Sequence, residues 1–383
     1  MADKPIRVLQ VINSMNRGGA ETMVMNYYRN MDRSKVQFDF LVHTNSANAF
    51  DTEIRAMGGK VHRVPPISIM YISRHIKALK HFFKCHPEYN IIHAHMNVRS
   101  FLSLKYAKKT CKYRIAHSHT SLDAHSILKG SSSTGMKLKN LFLHSIRRLR
   151  LPGRYATHYF ACGEKAGRWL FGNKKKIKVV NNAINPSTFV YDPDKSAERK
   201  KEFNVHDSLV FGHVGRFSHV KNHRFLIKVF KEIVELEPNS KLLLVGNGPL
   251  VEENKAFVHE LGLENDVIFL GHRSDIPETL QAIDLFILPS LYEGLPVSVV
   301  EAQAAGINVI ISDTVTKEVG ITPLAHFLSL KSSEKEWAEL ALSLVSNKKE
   351  NMNNAIAQGG YDIKECAEDL QSLYLNFSID SME

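Results

Sequence analysis

The 383-residue sequence lacks the features that mark disulfide-rich secreted proteins and proteins that span membranes. Its four cysteines are scattered without the spacing of a metal site, so we expect reduced thiols in a cytosolic protein. No apolar run approaches the ~18–20 residues needed to cross a bilayer. The N-terminal residues lead directly into a predicted strand, without the apolar region of a signal peptide.

Familiar nucleotide-binding motifs are also missing. No G-x-x-x-x-G-K-[ST] loop is present to hold a nucleoside triphosphate. Gly246 and Gly248 follow an apolar strand in "LLLVGNGPL", but the third glycine of the dinucleotide fingerprint is absent. A D-x-D triplet at 192–194 follows no apolar strand, so we do not interpret it as a metal site for a nucleotide-sugar.

Positive charge is concentrated in the first half of the chain. Residues 1–190 contain 32 Lys and Arg against 9 Asp and Glu, whereas the remainder contains 18 against 30. This asymmetry indicates an anionic partner, either nucleic acid or a membrane surface, although a basic face that only aids solubility is the alternative. Residues 136–150 have the pattern of a basic amphipathic helix at a membrane interface, or of a helix packed on its own sheet. We expect peripheral association with the anionic inner face of the plasma membrane and no nucleic-acid partner.

Strand and helix patterns alternate along the whole chain in two series. The first series runs from "IRVLQVI" to "IKVVNNAI", and the second runs from "LVFGHVG" to "NVIISD". Two doubly wound parallel sheets are therefore predicted. The predicted domains are 1–184 and 185–360, with a polar linker at 185–208 and a helical tail at 361–383 that packs on the first domain.

The segment 284–306, "DLFILPSLYEGLPVSVVEAQAAG", combines a strand, a turn and the start of a helix. Its apolar run predicts a buried parallel strand, and Pro296 suits the first helical turn. Glu293 therefore lies where the strand meets the helix, which is the ligand-binding edge of open α/β sheets. Glu301 lies two turns further along. Helix N–H groups favour an anion and carboxylates accept from hydroxyls, so a ligand with phosphate and sugar groups fits.

Two other strand ends carry candidate phosphate contacts. Gly18 and Gly19 follow the first strand, where glycine lets the backbone approach a ligand; a plain tight turn is the alternative. Arg216 and Lys221 follow the first strand of the second series. Two cations at that position suit a diphosphate, whereas a solvated surface pair is the alternative.

Four histidines end two neighbouring strands of the first series, namely His93, His95, His117 and His119. Alternation along a strand places both members of each pair on the same face of the sheet. No carboxylate or cysteine completes an obvious zinc site, so we predict no metal. One or more pocket histidines that donate hydrogen bonds to a sugar are favoured, whereas His93 or His117 could equally be packed structural residues.

Taken in order, these motifs resemble the retaining family 4 glycosyltransferases of the GT-B fold, particularly bacterial enzymes of exopolysaccharide and capsule assembly. The E-x7-E pair formed by Glu293 and Glu301 carries the resemblance. It is supported by "RGGAE" at 17–21, "GRFSHVKNH" at 215–223, "VGNGP" at 245–249 and "LGHRSDIPETL" at 270–280. The resemblance implies two Rossmann-like domains facing across a cleft and a hexosyltransferase-type activity. It also implies transfer from a UDP- or GDP-sugar to a lipid-linked saccharide acceptor, without a metal or other cofactor.

The resemblance further assigns roles to single positions. Glu301 is expected to hold the ribose hydroxyls and Glu293 to contact the donor sugar. His119 corresponds best to the active-site histidine, with His117 as the alternative register. Arg216 and Lys221 correspond to the pair that binds the diphosphate, and Gly18 and Gly19 to the loop that faces the phosphates. The amides of Gly294 and Leu295 correspond to those near the sugar and the β-phosphate. His272 and Arg273 correspond to the segment that meets the base, and Gly246 is also assigned to the donor site. The loop at 181–185 departs from the P-N-G-[IV]-D pattern of relatives and carries no assignment.

Two alternatives to a transferase are kept open. A non-hydrolysing nucleotide-sugar epimerase would use the same fold without an acceptor. A non-catalytic partner of another transferase would not need to keep all four of Glu293, Glu301, Arg216 and Lys221.

Overall fold

The computed structural model describes residues 4–16, 18–68, 70–120, 151–345 and 348–379, and the chain divides into two compact units. The chain passes from unit 1 to unit 2 between Ala183 and Ile184, and it returns to unit 1 between Asp362 and Ile363. The C-terminal helix therefore belongs to unit 1. None of the helices within the described ranges is long and apolar enough to cross a membrane.

Unit 1 is built on a parallel sheet of seven strands in the order β3-β2-β1-β4-β5-β6-β7. The strands are β1 Ile6–Ile12, β2 Val36–Val42, β3 Val61–Arg63, β4 Ile91–Ala94, β5 Tyr113–Ser118, β6 His158–Ala161 and β7 Lys178–Val179. The helices are α1 Gly19–Asn30, α2 Asp51–Ala56, α3 Ile72–Cys85, α4 Ser100–Ala107, α5 Leu151–Tyr155, α6 Glu164–Phe171 and, after unit 2, α14 Ile363–Ile379.

Both faces of this sheet are covered by helices. Alternate residues of β1 enter different apolar clusters, with Val8 on one side and Leu9 on the other. Helices α1 and α14 pack on the side of Val8, and α14 turns Leu370 and Tyr374 inwards. Because both faces are buried, β2 is buried at every residue, which is typical of parallel sheets.

Unit 2 contains a six-stranded parallel sheet in the order β10-β9-β8-β11-β12-β13. The strands are β8 Leu209–Val214, β9 Ser240–Val245, β10 Val267–Gly271, β11 Leu285–Leu288, β12 Asn308–Ser312 and β13 Ala325–Leu328. The helices are α7 Pro193–Glu202, α8 His223–Leu236, α9 Val251–Glu260, α10 Ile276–Gln281, α11 Val297–Ala304, α12 Glu334–Leu344 and α13 Asn353–Gln358. The predicted pair of parallel, doubly wound sheets is thus confirmed.

The predicted linker at 185–208 is wrong, because the segment contains helix α7 and belongs to unit 2. Asp192 caps this helix by accepting hydrogen bonds from the backbone of Asp194 and Lys195. The Ser196 hydroxyl donates to the Gln281 carbonyl over 2.8 Å, which fixes the helix on its own unit. The polar composition of the segment reflects an exposed helix face rather than an extended connection.

Candidate active site

Glu293 and Lys221 form the centre of the site in unit 2. The Lys221 ammonium lies 2.8 Å from Glu293 Oε1, and both side chains are only 16% exposed. The Ser290 hydroxyl donates to the same carboxylate oxygen over 2.9 Å. A cation and a carboxylate are therefore held together at the carboxyl edge of the sheet, where open α/β folds bind ligands.

Neighbouring strands explain how these two residues meet. Strand β8 pairs with β11, so the loops that follow the two strands are adjacent. The Leu291 amide donates to the Val220 carbonyl over 2.8 Å, and the Asn222 side chain donates to the Pro289 carbonyl over 3.2 Å. Asn222 has a left-handed backbone (φ 56°), a conformation that Asn adopts more readily than most residues. These contacts fix the loop that carries Glu293 against the loop that carries Lys221.

Glu301 lies in α11, and its side chain has no hydrogen-bond or ion-pair partner in the described part of the chain. Burial raises the pKa of its carboxyl to about 7. An ionised, partly buried carboxyl without a partner is unfavourable unless a ligand supplies hydrogen bonds. The position is therefore suited to accept from ligand hydroxyls, and a perturbed carboxyl of this kind is frequent at functional sites.

The backbones of two loops beside Lys221 and Glu293 approach each other closely. Gly246 has φ 139°, and a Cβ there would lie 2.0 Å from the Gly215 carbonyl oxygen, so only glycine fits. Arg216, which follows Gly215, is exposed and has no side-chain partner among the described residues. Gly294 and Leu295 are buried immediately before Pro296, which is the N-cap residue of α11.

The segment predicted to meet the base contains His272 and Arg273, which differ in their contacts. His272 is exposed, whereas the Arg273 guanidinium bonds to both oxygens of Asp275, over 2.8 and 2.5 Å. Arg273 also lies 3.3 Å from Glu202 of α7. The guanidinium is thus occupied by contacts that hold unit 2 together, and a role in base recognition stays a prediction.

In unit 1, Gly18 is the N-cap residue of α1 and Gly19 is the first residue of that helix. A Cβ on Gly18 would lie 2.4 Å from Glu21 Oε2, so a side chain there would displace the Glu21 carboxyl. Burial raises the pKa of Glu21, and this carboxyl is in the first turn of α1. Arg17 of the same motif lies outside the described residues.

The four histidines form two hydrogen-bonded pairs across β4 and β5. His93 Nε2 is 3.0 Å from His117 Nδ1, and His95 Nδ1 is 2.9 Å from His119 Nε2. Each strand histidine stacks on the histidine just beyond the end of its strand, with centroids 4.2 Å apart for His93 and His95 and 4.2 Å apart for His117 and His119. Burial lowers the pKa of all four rings, that of His119 to about 4, so they are neutral near pH 7.

Ring nitrogens of His93, His95 and His117 lie within 4.8 Å of one another, a spacing that a metal ion could use. Two of these rings, His93 and His117, are nearly parallel, with an angle of 12° between their planes. The hydrogen bond between these two rings uses the proton of one nitrogen and the lone pair of the other, so neither atom has a lone pair free for a shared ion. Hydrogen bonds between the rings and to buried neighbours already use most of the nitrogens. The cluster therefore fits a hydrogen-bond network better than a metal centre.

Several residues that support these sites are not predicted from the sequence. Tyr374 of α14 hydrogen-bonds to His93 over 2.6 Å, across 281 positions of sequence, and no local pattern indicates such a contact. Gln10 bonds to His95 over 2.8 Å. Its signal was present, because a polar residue interrupts the otherwise apolar run from Val8 to Ile12. Ser290 was visible only as the end of a strand.

Comparison with known families matches the two halves of the chain separately. Residues 17–188 match the family described as Glycosyltransferase Family 4, and residues 194–362 match Glycosyl transferases group 1. EpsF of Bacillus subtilis (strain 168), which is named as a glycosyltransferase, is 38% identical to this chain over 96% of each of the two chains. CapH of Staphylococcus aureus, named as a capsular polysaccharide biosynthesis glycosyltransferase, is 27% identical over 97% of this chain and 99% of its own.

Solved structures show the same fold. HepE of Anabaena, in complex with UDP-glucose, has a TM-score of 0.78 and 20% identity over 98% of this chain and 99% of its own. WaaG, a glycosyltransferase involved in lipopolysaccharide biosynthesis, has a TM-score of 0.70 and 14% identity over 96% of this chain and 99% of its own. The chain therefore has the GT-B fold, and it belongs to the family 4 glycosyltransferases.

Proposed function

We propose that this glycosyltransferase moves a sugar from a nucleoside diphosphate sugar to a saccharide acceptor in exopolysaccharide or capsule assembly, with retention at the anomeric carbon. The observation that carries the proposal is the site of unit 2, where Lys221 pairs with Glu293 and where Glu301, on the helix that follows, has no side-chain partner among the described residues. The name of EpsF supports glycosyl transfer, the name of CapH supports the process, and the UDP-glucose complex of HepE supports the donor class.

The chemistry needs positive charge where the leaving diphosphate develops negative charge. Arg216 has no side-chain partner among the described residues, and Lys221 lies in the same loop, between β8 and α8. Cations and preorganised N–H donors aimed at developing charge commonly supply the largest part of the rate enhancement. Departure of the diphosphate breaks the bond to the anomeric carbon. In the front-face mechanism that we propose, that diphosphate helps remove the proton of the attacking acceptor hydroxyl.

Glu301 and Glu293 have different parts in this proposal. A carboxylate at Glu301 would accept hydrogen bonds from the ribose hydroxyls, which do not change during the reaction. Glu293 would lie beside the transferred sugar, where its negative charge favours an oxocarbenium-like transition state. Lys221 and Ser290 hold the Glu293 carboxylate in place before the donor arrives.

We also propose that the acceptor is lipid-linked and that unit 1 associates with an anionic membrane. Helix α3 carries exposed basic side chains, and Met70 and Tyr71 immediately before it are 79% and 59% exposed. Exposed apolar side chains beside a basic face are typical of surfaces that enter the headgroup region. The basic residues on that face are Arg74, Lys77, Lys80 and Lys84. The predicted amphipathic helix at 136–150 lies outside the described residues.

The proposed function is tested by donor turnover with the purified chain. UDP- and GDP-sugars are first ranked by thermal shift, since a ligand at ~100 times its dissociation constant stabilises by roughly 2.7 kcal/mol. The best donor is then incubated alone and with lipid-linked saccharides. Release of nucleoside diphosphate with a glycosylated product supports the transferase. An isomerised sugar formed from donor alone would establish the epimerase instead, and binding without turnover of any donor would support a non-catalytic partner.

A further inference from the structure

Gln10 is a buried amide in the centre of the sheet of unit 1. It is 1% exposed, and its side-chain carbonyl oxygen lies 2.8 Å from His95 Nε2. A carbonyl oxygen can only accept a hydrogen bond. His95 must therefore carry its proton on Nε2 in order to donate to Gln10.

The proton on His95 decides the position of the proton on His119. Burial keeps both rings neutral near pH 7, so each ring has one N–H group. With its proton on Nε2, His95 presents an unprotonated Nδ1 to His119 Nε2, 2.9 Å away. His119 then donates from Nε2, and its own Nδ1 retains a lone pair. That Nδ1 is buried and has no hydrogen-bond partner among the described residues.

Within the described residues, the second pair of rings, His93 and His117, makes no hydrogen bond to His95 or His119. His93 connects Tyr374 to His117, and it contacts His95 by stacking, which transfers no proton. The backbone of His119 is fixed independently, because its amide donates to the Asn97 side chain over 2.7 Å. Gln10 is thus the residue that orients the protons from His95 to His119.

We propose that Gln10 is a positioning residue for glycosyl transfer: through His95 it holds Nδ1 of His119 as a hydrogen-bond acceptor for a hydroxyl of a bound sugar. The inference rests on the proposed role of His119 in the active site. It assigns a direction to that hydrogen bond, in which the sugar donates and the histidine accepts. In protein sites, the hydrogen bond made by one ring nitrogen of a histidine generally sets which of its two nitrogens carries the proton.

The direct test is to measure which ring nitrogen of His119 carries the proton in the full chain. Histidine is labelled with ¹⁵N, and long-range ¹H–¹⁵N spectra distinguish protonated from unprotonated ring nitrogens; the signals are assigned with a His119→Asn variant. We expect an unprotonated Nδ1 and a protonated Nε2 in the wild type. A protonated Nδ1 would overturn the inference whatever the activity of the enzyme.

The Gln10→Leu variant tests the cause. Leucine has a similar volume but cannot accept from His95, so we expect the His119 pattern to become mixed or reversed. The matched control is Gln37→Leu, because Gln37 is a buried amide on the adjacent strand that bonds to Tyr28 and the Met57 carbonyl instead. An unchanged His119 pattern in Gln10→Leu, with the fold intact by melting temperature, would exclude Gln10 as the residue that sets it.

Kinetics separate this inference from the proposed function. In Gln10→Leu we expect kcat to fall about fivefold with the donor KM unchanged, as for one hydrogen bond of ordinary strength made near the reacting centre. Wild-type kcat despite an altered tautomer would overturn the positioning role. If the wild-type enzyme turned over no nucleotide-sugar, the proposed function would fail, while the tautomer measurement would still decide the hydrogen-bond chain.

Discussion

The Lys221 ammonium is 2.8 Å from Glu293 Oε1, so a cation suited to a diphosphate is already paired with the carboxylate beside the predicted sugar position. In the free protein each group neutralises the other in a site that is largely removed from water. A bound diphosphate would offer Lys221 a stronger anionic partner. In the proposed mechanism, the pair would therefore couple donor binding to the environment of the Glu293 carboxylate.

Glu293→Gln should lower kcat by about a hundredfold, the scale of losing one electrostatic contact at the reacting centre. The amide keeps an acceptor for Lys221 and Ser290, so we expect a normal melting temperature and a donor KM within a few-fold of wild type. Glu260→Gln, at an exposed position on α9, is the matched control. A folded Glu293→Gln enzyme with full kcat would remove Glu293 from the reaction.

Glu301→Gln should act chiefly on binding. Hydrogen bonds to a charged group contribute about 1.5–3 kcal/mol, so the donor KM should rise roughly 10- to 100-fold. Because the ribose contact is the same in ground and transition states, kcat should change much less. Steady-state kinetics with varied donor measure both quantities, and a fall in kcat at unchanged KM would contradict the ribose role.

The stability of the ligand-free protein should depend on pH through Glu301. Its pKa is raised from 4.5 to about 7 in the folded state, so the folded chain holds this proton more tightly than the unfolded chain. The resulting stability is present below about pH 4.5 and is lost as the pH rises towards 7. The melting temperature of wild type relative to Glu301→Gln should therefore fall between pH 5 and pH 8. A constant difference over this range would show that the carboxyl is not perturbed.

Donor turnover should survive chelation. In the proposed mechanism Arg216, Lys221 and the start of α11 supply the positive charge, so EDTA should leave kcat unchanged. The measurement compares dialysed enzyme with and without EDTA, and then with added Mg²⁺ or Mn²⁺. Loss of turnover that a divalent ion restores would show that a metal takes part.

Binding to vesicles should require the basic face of α3. Each basic residue near an anionic surface contributes about 1 kcal/mol, so Lys77, Lys80 and Lys84 changed together to Gln should release the chain from anionic vesicles in a sedimentation assay. The control changes three exposed lysines of unit 2, Lys228, Lys255 and Lys331, by the same charge. Equal sedimentation of wild type with neutral and anionic vesicles would argue against electrostatic docking.

The sequence by itself determined the order of strands and helices, because the period of apolar residues is a local property that both sheets preserve. It also placed Glu293 at the junction between β11 and α11, since strand, turn and helix start lie within one short segment. Local composition misled at 185–208, where packing against Gln281 rather than polarity decided that the segment is helical.

Only the tertiary structure decided which side chains meet. Lys221 reaches Glu293 because β8 and β11 are neighbours in the sheet, and strand order is not encoded in any single segment. Tyr374 reaches His93 because the chain returns to unit 1 after completing unit 2. The direction of the hydrogen bonds from Gln10 to His119 depends on three strands aligned in one register. Periodicity along the chain carries no information on such contacts, because they arise from burial of distant segments against each other.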